Sequence, residues 1–303
     1  MPVTEFDFDA LKEYITSSKD QSLKQLAGAY DKRYVGSTSS MSGALTHFHF
    51  LLSQWRHINT KMLSKTFPDK LLSFTELQRC PSAIFLRWQD GSYAIDADKQ
   101  FDSANILMML GKSMEKLLTL DTEEFERYRK SNLEKVTEEE RNAPESFHYT
   151  TMGDFLMRSQ LDAFDARLPG TGMFDLKTRA VVSIRMEPTN HEQGIGYQIK
   201  TAQGEWESFE REYYDMIRAA FLKYSLQVRM GRMDGIFVAY HNTDRIFGFQ
   251  YISQEEMDLT LHGQWDTSIG DQEFKLSLEL LNKILDKATK KYPEKVSKVP
   301  VEN

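Results

Sequence analysis

One predicted β-hairpin constrains the fold of this chain more than any other feature. Two apolar stretches, Phe155–Leu168 and Met173–Met186, flank the tetrapeptide Pro169-Gly170-Thr171-Gly172. Proline and glycine are the residues that tight turns favour, so the pattern predicts two strands joined at the tetrapeptide. The chain has 303 residues, of which 40% are hydrophobic, and this is enough apolar material to form a packed core around such a hairpin.

The predicted hairpin brings charged side chains together on one strand face. Side chains alternate between the two faces of a strand, so Asp175 and Lys177 share a face. Symmetric pairing about Gly170 sets Asp165 opposite Asp175. Two adjacent carboxylates repel each other unless a cation lies between them, and Mg²⁺ or Mn²⁺ takes oxygen ligands. We therefore predict a metal-dependent site that hydrolyses a phosphodiester, with Asp165, Asp175 and Lys177 as catalytic residues; the alternative is a strand with a solvated charged face.

Other candidate ligand patterns are weaker. A second acid-x-Lys triplet, Glu273 to Lys275, lies in a helical pattern without a preceding hairpin, so it is predicted to be surface. The seven histidines show no metal-binding spacing. His47 and His49 are two residues apart, which makes them diverge on a helix, and they are interpreted as structural.

Composition and charge narrow the classes of protein and partner. The single cysteine, Cys80, excludes a disulfide framework. The net charge of −7 means that a nucleic acid must be bound through local basic patches or a metal ion. The chain has no apolar run near the ~20 residues of a membrane span. Its first residues are acidic, so no mitochondrial targeting sequence is visible.

Basic residues are concentrated after the hairpin. Residues 217–233 contain four basic side chains and no acidic one, and Arg179 follows Lys177 on the same strand face. We predict that Arg179, Arg229 and Arg232 contact nucleic-acid phosphates. For Arg218 and Lys223, a phosphate contact and ordinary surface charge are equally good interpretations.

The hairpin motif resembles the core of the PD-(D/E)xK nucleases. Asp165, nine intervening residues and then Asp175-Leu176-Lys177 are similar to the motif of the lambda exonuclease-like and RecB-like members. That family carries a further Glu on a preceding helix, and the segment GKSME within the predicted helix Ser103–Leu120 resembles this element. The resemblance implies that Glu115 joins Asp165 and Asp175 as a metal ligand; the alternative is an exposed Glu on a helix.

One part of the family pattern is altered. The related exonucleases carry Gln-x-x-x-Tyr on the helix after the active strand. The predicted helix Trp206–Met230 offers Tyr224 and Gln227 in the reverse order, so its role is left open.

A closer resemblance covers most of the chain. It rests on the segments VGSTSSMSG, HFHFLLSQW, YAIDADKQFDSANILMMLGKSMEKLL, RLPGTGMFDLKTRAV and AAFLKYSLQVRMGRMDGIFVAYHN. These look like the fungal mitochondrial family that processes the 5′ ends of transcripts and is named for a petite phenotype. The resemblance implies an RNA substrate, 5′-to-3′ exoribonuclease activity, and a mitochondrial location with peripheral contact on the matrix side of the inner membrane. We expect no nucleotide cofactor.

The residues leave two alternatives open: an RNA-binding accessory module with a nuclease fold, and a DNA nuclease of the same fold. The element order predicts an α/β fold, restriction-endonuclease-like, with a mixed central sheet flanked by helices. Residues 1–100 form a helical N-terminal region with a hairpin, in which the loop Val35–Gly43 precedes a helix. Residues 101–262 form the nuclease core, and residues 263–303 form a C-terminal helix and tail.

Overall fold

The computed structural model describes residues 1–68, 71–100, 106–143 and 145–301. Its helices are α1 (Gln21–Ala29), α2 (Thr38–Leu52), α3 (Glu76–Arg79), α4 (Ile106–Thr119), α5 (Thr122–Glu126), α6 (Glu138–Arg141), α7 (Val182–Met186), α8 (Phe209–Ala219), α9 (Phe221–Gly231), α10 (Gln254–His262) and α11 (Ser268–Lys291). Its strands are β1 (Tyr34–Ser37), β2 (Ser82–Gln89), β3 (Ser92–Ala97), β4 (Phe147–Met152), β5 (Phe155–Gln160), β6 (Ala163–Phe164), β7 (Met173–Ala180), β8 (Gly235–His241), β9 (Ile246–Ser253) and β10 (Ser297–Val301). The predicted helix Ser103–Leu120 is present as α4, and its residues 103–105 lie outside the described part.

A six-stranded sheet in the order β10-β2-β3-β1-β5-β4 draws strands from all three predicted regions. The predicted hairpin between β2 and β3 is confirmed, with Asp90 and Gly91 at its turn in positive φ. β1 pairs in parallel with both β3 and β5. The predicted C-terminal tail instead adds β10 to the edge strand β2, so it is part of this sheet.

A four-stranded sheet in the order β6-β7-β8-β9 carries the candidate site. β7 and β8 run parallel, while β6 and β9 are antiparallel to their neighbours. The predicted α/β class with mixed pairing and flanking helices is confirmed. The strands are divided between two sheets because the chain leaves the six-stranded sheet after Gln160 and enters the other sheet at Ala163.

The main hydrophobic core joins the two sheets through the helices. α2 packs against α9 and α11, and α9 also packs against β5 and β8. Large side chains such as Phe50, Phe221 and Tyr240 are fully buried there. The helix predicted over Trp206–Met230 is two helices, because the backbone of Ala220 leaves helical geometry at φ −139°.

The start of α2 differs from the sequence prediction. Residues 34–37 form a buried strand instead of a loop, and the helix begins at Thr38. Ser37 and Ser40 form a capping box, in which each side chain bonds the backbone N–H of the other residue. This cap moves the helix start upstream of the predicted one. Within the described residues, no helix is both long and apolar enough to cross a membrane.

Candidate active site

A cavity of about 220 Å³ opens where the two sheets meet. Its walls come from β7, the N-terminal end of α2, α4, α9 and the end of β5. The charged and amide side chains that line it are Glu115, Glu145, Arg158, Gln160, Asp162, Asp175, Lys177 and Gln227. Such a collection of convergent polar groups in a concave site makes it the candidate active site.

β7 brings Asp175 and Lys177 to this cavity as the alternation of side chains predicts. The Nζ atom of Lys177 lies 2.5 Å from Oδ2 of Asp175 and 5.2 Å from the ring centroid of Tyr224. Asp175 is 7% exposed. Burial acts to lower the pKa of Lys177, but the Asp175 carboxylate, Tyr224 and Asp162 together outweigh it, so the pKa is raised. Lys177 is therefore a charged ammonium held against a carboxylate.

Asp162, and not Asp165, lies beside Asp175. The prediction of symmetric pairing about Gly170 is wrong, because β6 and β7 pair Ala163 with Phe174. One further step in this register sets Asp162 opposite Asp175. The Oδ2 atom of Asp162 accepts a hydrogen bond of 3.0 Å from the N–H of Leu176, and both residues line the cavity.

Asp165 has a local role in the turn that follows β6. Its backbone N–H bonds the carbonyl of Gly172 at 2.9 Å, and its Oδ1 accepts the N–H of Arg167 at 2.9 Å. The Arg167 guanidinium and that N–H lower the pKa of Asp165 to about 2. Aspartate is favoured at turns because its side chain can bond the backbone two residues on. Asp165 is absent from the cavity lining, so the structure does not bring it to the other candidate residues.

The pair Asp162 and Asp175 forms the electrostatic centre of the cavity. Burial and the neighbouring Asp175 carboxylate raise the pKa of Asp162 to about 9. Two carboxylates that share one proton are a site where a cation can replace that proton. The donor atoms are all carboxylate oxygens, which fit a hard cation such as Mg²⁺.

Glu115 approaches the pair from α4. Gly111 and Glu115 are four residues apart and so lie on one face of the helix. α4 packs against β7, and a Cβ on Gly111 would lie 3.6 Å from Oγ1 of Thr178. Burial raises the pKa of Glu115, and the Glu145 and Asp175 carboxylates add to the increase. Glu115 is thus a third carboxylate in the cavity, and its role as a metal ligand stays a prediction.

α9 contributes two side chains that the sequence left undecided. Tyr224 lies under the Lys177 ammonium, and Gln227 lines the cavity. The Oε1 atom of Gln227 is buried and has no hydrogen-bond partner among the described residues. Because positions 224 and 227 are three apart on a helix, both side chains face β7 despite their reversed order.

Among the charged and amide side chains that line the cavity, four were missed by the sequence analysis: Glu145, Arg158, Gln160 and Asp162. Asp162 could have been found if Asp165 had been interpreted as a turn residue, which would have shifted the pairing. Arg158 is 3% exposed and forms a buried ion pair with Asp20. No local sequence signal marks Arg158 or Gln160, because β5 belongs to the other sheet.

The three predicted phosphate contacts lie in different environments. Arg229 does not face the cavity: its guanidinium is buried against Asp258, Asp271 and Ser225. The structure therefore contradicts its prediction as a phosphate contact, since its donors are already used. Arg232 is exposed at the left-handed C-cap of α9, next to the lining residue Met233.

Arg179 lies two residues beyond Lys177 on β7 and is absent from the cavity lining. Burial, with repulsion from Arg185, lowers its pKa to about 10. Its Nε atom has no hydrogen-bond partner among the described residues. Arg179 thus has a lowered pKa and an Nε atom without a described partner, and it does not line the cavity.

A second polar cluster joins α2, α10 and α11. Ligand atoms of His49, His262 and Glu273 lie within 4.8 Å of one another. The prediction that Glu273 is a surface residue is wrong, since its side chain is 12% exposed. Arg56 donates to Glu273 at 2.7 Å and contacts His262 Nδ1 at 3.1 Å, so a guanidinium already supplies positive charge to this cluster. We interpret this cluster as structural.

Comparison with known proteins gives matches over most of the chain. The family model described as mitochondrial protein Pet127 matches residues 14–286. The mRNA degradation protein pet127, mitochondrial, of Schizosaccharomyces pombe is 42% identical over 99% of this chain and 57% of its own length. The putative mitochondrial translation system component PET127 of Saccharomyces cerevisiae is 43% identical over 84% of this chain and 31% of its own length. The chain thus spans less than two thirds of these relatives.

Solved structures with a similar arrangement are more distant in sequence. Rai1 of S. pombe in complex with 3′-FADP matches with a TM-score of 0.48 at 10% identity, over 99% of this chain and 80% of that chain. Rai1 of Candida albicans in complex with pU5 and Mn²⁺ matches with a TM-score of 0.43 at 11% identity, over 99% of this chain and 76% of that chain.

Proposed function

This chain belongs to the Pet127 family of mitochondrial proteins, and from that premise and the geometry of the cavity we propose that it is a Mg²⁺-dependent nuclease of the PD-(D/E)xK type. In our proposal it degrades or processes mitochondrial RNA from the 5′ end. One observation carries the proposal: Glu115, Asp162 and Asp175 converge with Lys177 on a single cavity. The name of the S. pombe relative, an mRNA degradation protein, supports RNA as the substrate and the mitochondrion as the compartment.

The three carboxylates are the proposed metal ligands. Asp162 and Asp175 would give up their shared proton when the metal binds, and Glu115 would complete the oxygen donor set from α4. A bound Mg²⁺ would supply a water of lowered pKa and offset the charge that develops on the phosphate.

Lys177 is the proposed catalytic ammonium. It is held 2.5 Å from Asp175 and is packed over the ring of Tyr224, so few rotamers are available to its side chain. A preorganised donor of this kind can orient the attacking water and neutralise the charged transition state. The buried Oε1 of Gln227 offers a free acceptor on the opposite wall, which would bind a water proton or a ribose hydroxyl.

The name of the S. cerevisiae relative, a putative translation system component, favours an accessory role as the second candidate. In that role the cavity would bind RNA without cutting it. Three carboxylates clustered beside a partly buried ammonium are costly to maintain without a chemical use, and this supports hydrolysis.

The test is cleavage of matched oligonucleotides. Purified protein is mixed with RNA and DNA of one sequence, each with a 5′-phosphate or a 5′-hydroxyl, in Mg²⁺, in Mn²⁺ and in EDTA. We expect stepwise shortening of 5′-phosphorylated RNA from its 5′ end in Mg²⁺, and none in EDTA. Full cleavage in EDTA would rule out the carboxylate mechanism. Tight RNA binding without cleavage in either metal would favour the accessory role, and equal cleavage of DNA would favour a DNA nuclease.

A further inference from the structure

A second, larger cavity adjoins the candidate active site. It has a volume of about 430 Å³, and its lining includes residues of β2 and β3 and of the segment before α1. Tyr14 and Ser39 line both cavities, so they form the wall between them. A nucleic-acid strand with its scissile phosphate at the carboxylates either crosses this wall into the second cavity or leaves in the opposite direction.

The ring of Tyr14 is held in a fixed orientation on this wall. Its hydroxyl bonds Ser37 Oγ at 2.8 Å and Ser39 Oγ at 2.6 Å, and these residues begin α2. The residue is nevertheless 46% exposed. An aromatic ring that is held rigidly and is half-exposed suits base stacking, because little conformational freedom is lost on binding.

Lys99 covers this ring without an acidic partner. Its Nζ atom lies 4.8 Å from the centroid of Tyr14. Across the described ranges, no carboxylate lies within ion-pair distance of Lys99. The side chain is exposed, so it can leave the ring when a base arrives and bind the adjoining phosphate.

The opposite side of the second cavity is also aromatic, but it is electrically balanced. Phe85 lies there with Arg87 over its ring at 5.3 Å. Asp96 bonds Arg87 at 2.9 Å, and Asp98 bonds Lys298 at 2.6 Å, so both carboxylates are neutralised. A cavity with paired charges and two aromatic walls suits an uncharged planar group better than a phosphate, because the cations on this side already have carboxylate partners.

We propose that this second cavity binds the base of a nucleotide next to the scissile phosphate, with Tyr14 as its stacking platform and Phe85 as the far wall. The inference rests on the proposed function, because it assumes that the scissile phosphate lies at the carboxylates of the first cavity. It implies that the enzyme reads the presence of a base near the end of its substrate, and not only the charge of the backbone.

The experiment uses a 5′-phosphorylated RNA and versions of it with one abasic ribose at each of the first four positions. Affinity is measured by fluorescence anisotropy in EDTA, and single-turnover cleavage is measured in Mg²⁺. For the wild type we expect one position, and not the others, to lose about 5- to 150-fold in affinity, the range expected for one base stacked on an aromatic ring. Tyr14→Leu should bind intact RNA more weakly than the wild type by the same factor. Its affinity should not fall further when the RNA is abasic at that position. Tyr14→Phe should retain the wild-type pattern.

Tyr292→Leu is the matched control. Tyr292 is also an exposed tyrosine, 48% accessible, with a lysine ammonium 5.3 Å from its ring centroid, but it is at the end of α11 and lines neither cavity. It should bind every RNA as the wild type does. If Tyr14→Leu fails to fold, Phe85→Leu replaces it, with the same expected loss of the abasic effect.

The two proposals fail in different ways. An abasic penalty that is equal at all positions, or that persists in a folded Tyr14→Leu protein, would overturn the base-binding cavity while cleavage continued. A position-specific penalty in binding, with no cleavage in any divalent metal, would support the base-binding cavity and overturn the nuclease.

Discussion

The Oδ2 atom of Asp162 accepts a hydrogen bond of 3.0 Å from the backbone N–H of Leu176, the residue between Asp175 and Lys177 on β7. This bond joins the link between β5 and β6 to β7 at the point where the carboxylates meet. It makes Asp162, and not the more conspicuous Asp165, the partner of Asp175. The charge of the cavity therefore depends on how the link between the two sheets packs against β7.

Asp162→Asn and Asp165→Asn should behave oppositely. Asp162→Asn removes a carboxylate from the cavity, so single-turnover cleavage of 5′-phosphorylated RNA should fall by at least about 10²-fold, as for loss of one preorganised electrostatic group. Asp165→Asn alters an exposed turn and should cleave within a few-fold of the wild type. A large loss in Asp165→Asn with normal cleavage by Asp162→Asn would favour the symmetric pairing about Gly170.

Lys177→Ala should lose about 10²–10³ in cleavage rate while RNA affinity changes little. The ammonium is proposed to act on the attacking water or the transition state, so excess Mg²⁺ should not rescue the variant. Asp175→Asn and Glu115→Gln remove proposed metal ligands and should recover part of their activity as Mg²⁺ is raised. A Mg²⁺ titration of all three variants separates the roles, and recovery of Lys177→Ala in high Mg²⁺ would contradict the one given to Lys177.

The stability of the metal-free protein should fall as pH rises. The pKa of Asp162 is raised to about 9 in the folded protein, against about 3.9 for an aspartate in an unfolded chain. Between these values the folded state binds a proton that the unfolded state has released, so the free energy of unfolding decreases from about pH 4 to about pH 9. Urea unfolding in EDTA across this range measures the slope, and added Mg²⁺ should restore stability at high pH.

Asp162→Asn tests the origin of that slope, because the amide does not titrate. Its metal-free stability should depend less on pH than that of the wild type, whereas Asp165→Asn should keep the wild-type slope. An unchanged slope in Asp162→Asn would assign the bound proton to another group.

Arg229→Ala should affect folding and not RNA contact. The guanidinium is 5% exposed and pairs with Asp258, which is completely buried. Removing it leaves a buried carboxylate without its cation, which typically costs about 3–5 kcal/mol in the free energy of unfolding. Urea unfolding should detect this loss, and the folded fraction should bind RNA with the wild-type salt dependence. A flatter salt dependence at unchanged stability would reinstate Arg229 as a phosphate contact.

Arg232→Ala is the matched variant for RNA contact, since Arg232 is exposed beside the cavity. Its stability should be unchanged, while the slope of log affinity against log salt should fall by about one, as expected for one lost phosphate contact. An unchanged slope would remove Arg232 from the interface.

Short segments of the sequence are sufficient to identify the family, and the family match over residues 14–286 confirms that identification. The α/β class and the hairpins at β2–β3 and β8–β9 were also predictable, because turn residues and apolar runs act over short distances. The alternation of a strand was enough to set Asp175 and Lys177 on one face. All of these are local properties, which depend on residues that are near one another in the sequence.

Only the tertiary structure decided which residues meet those of β7. A register shift changes every cross-strand partner, and the turn Asp165–Gly172 that sets the register depends on its own side-chain bonds and on Asp234, which binds the Gly172 N–H at 2.7 Å. Arg158 reaches the candidate active site from the six-stranded sheet. Tyr14 lies near the N-terminal end of the chain and lines both cavities. Arg229 carries the same charge as Arg232, yet helix packing buries one and leaves the other in solvent. Contacts between distant segments depend on how elements pack, and spacing along the chain does not encode that packing.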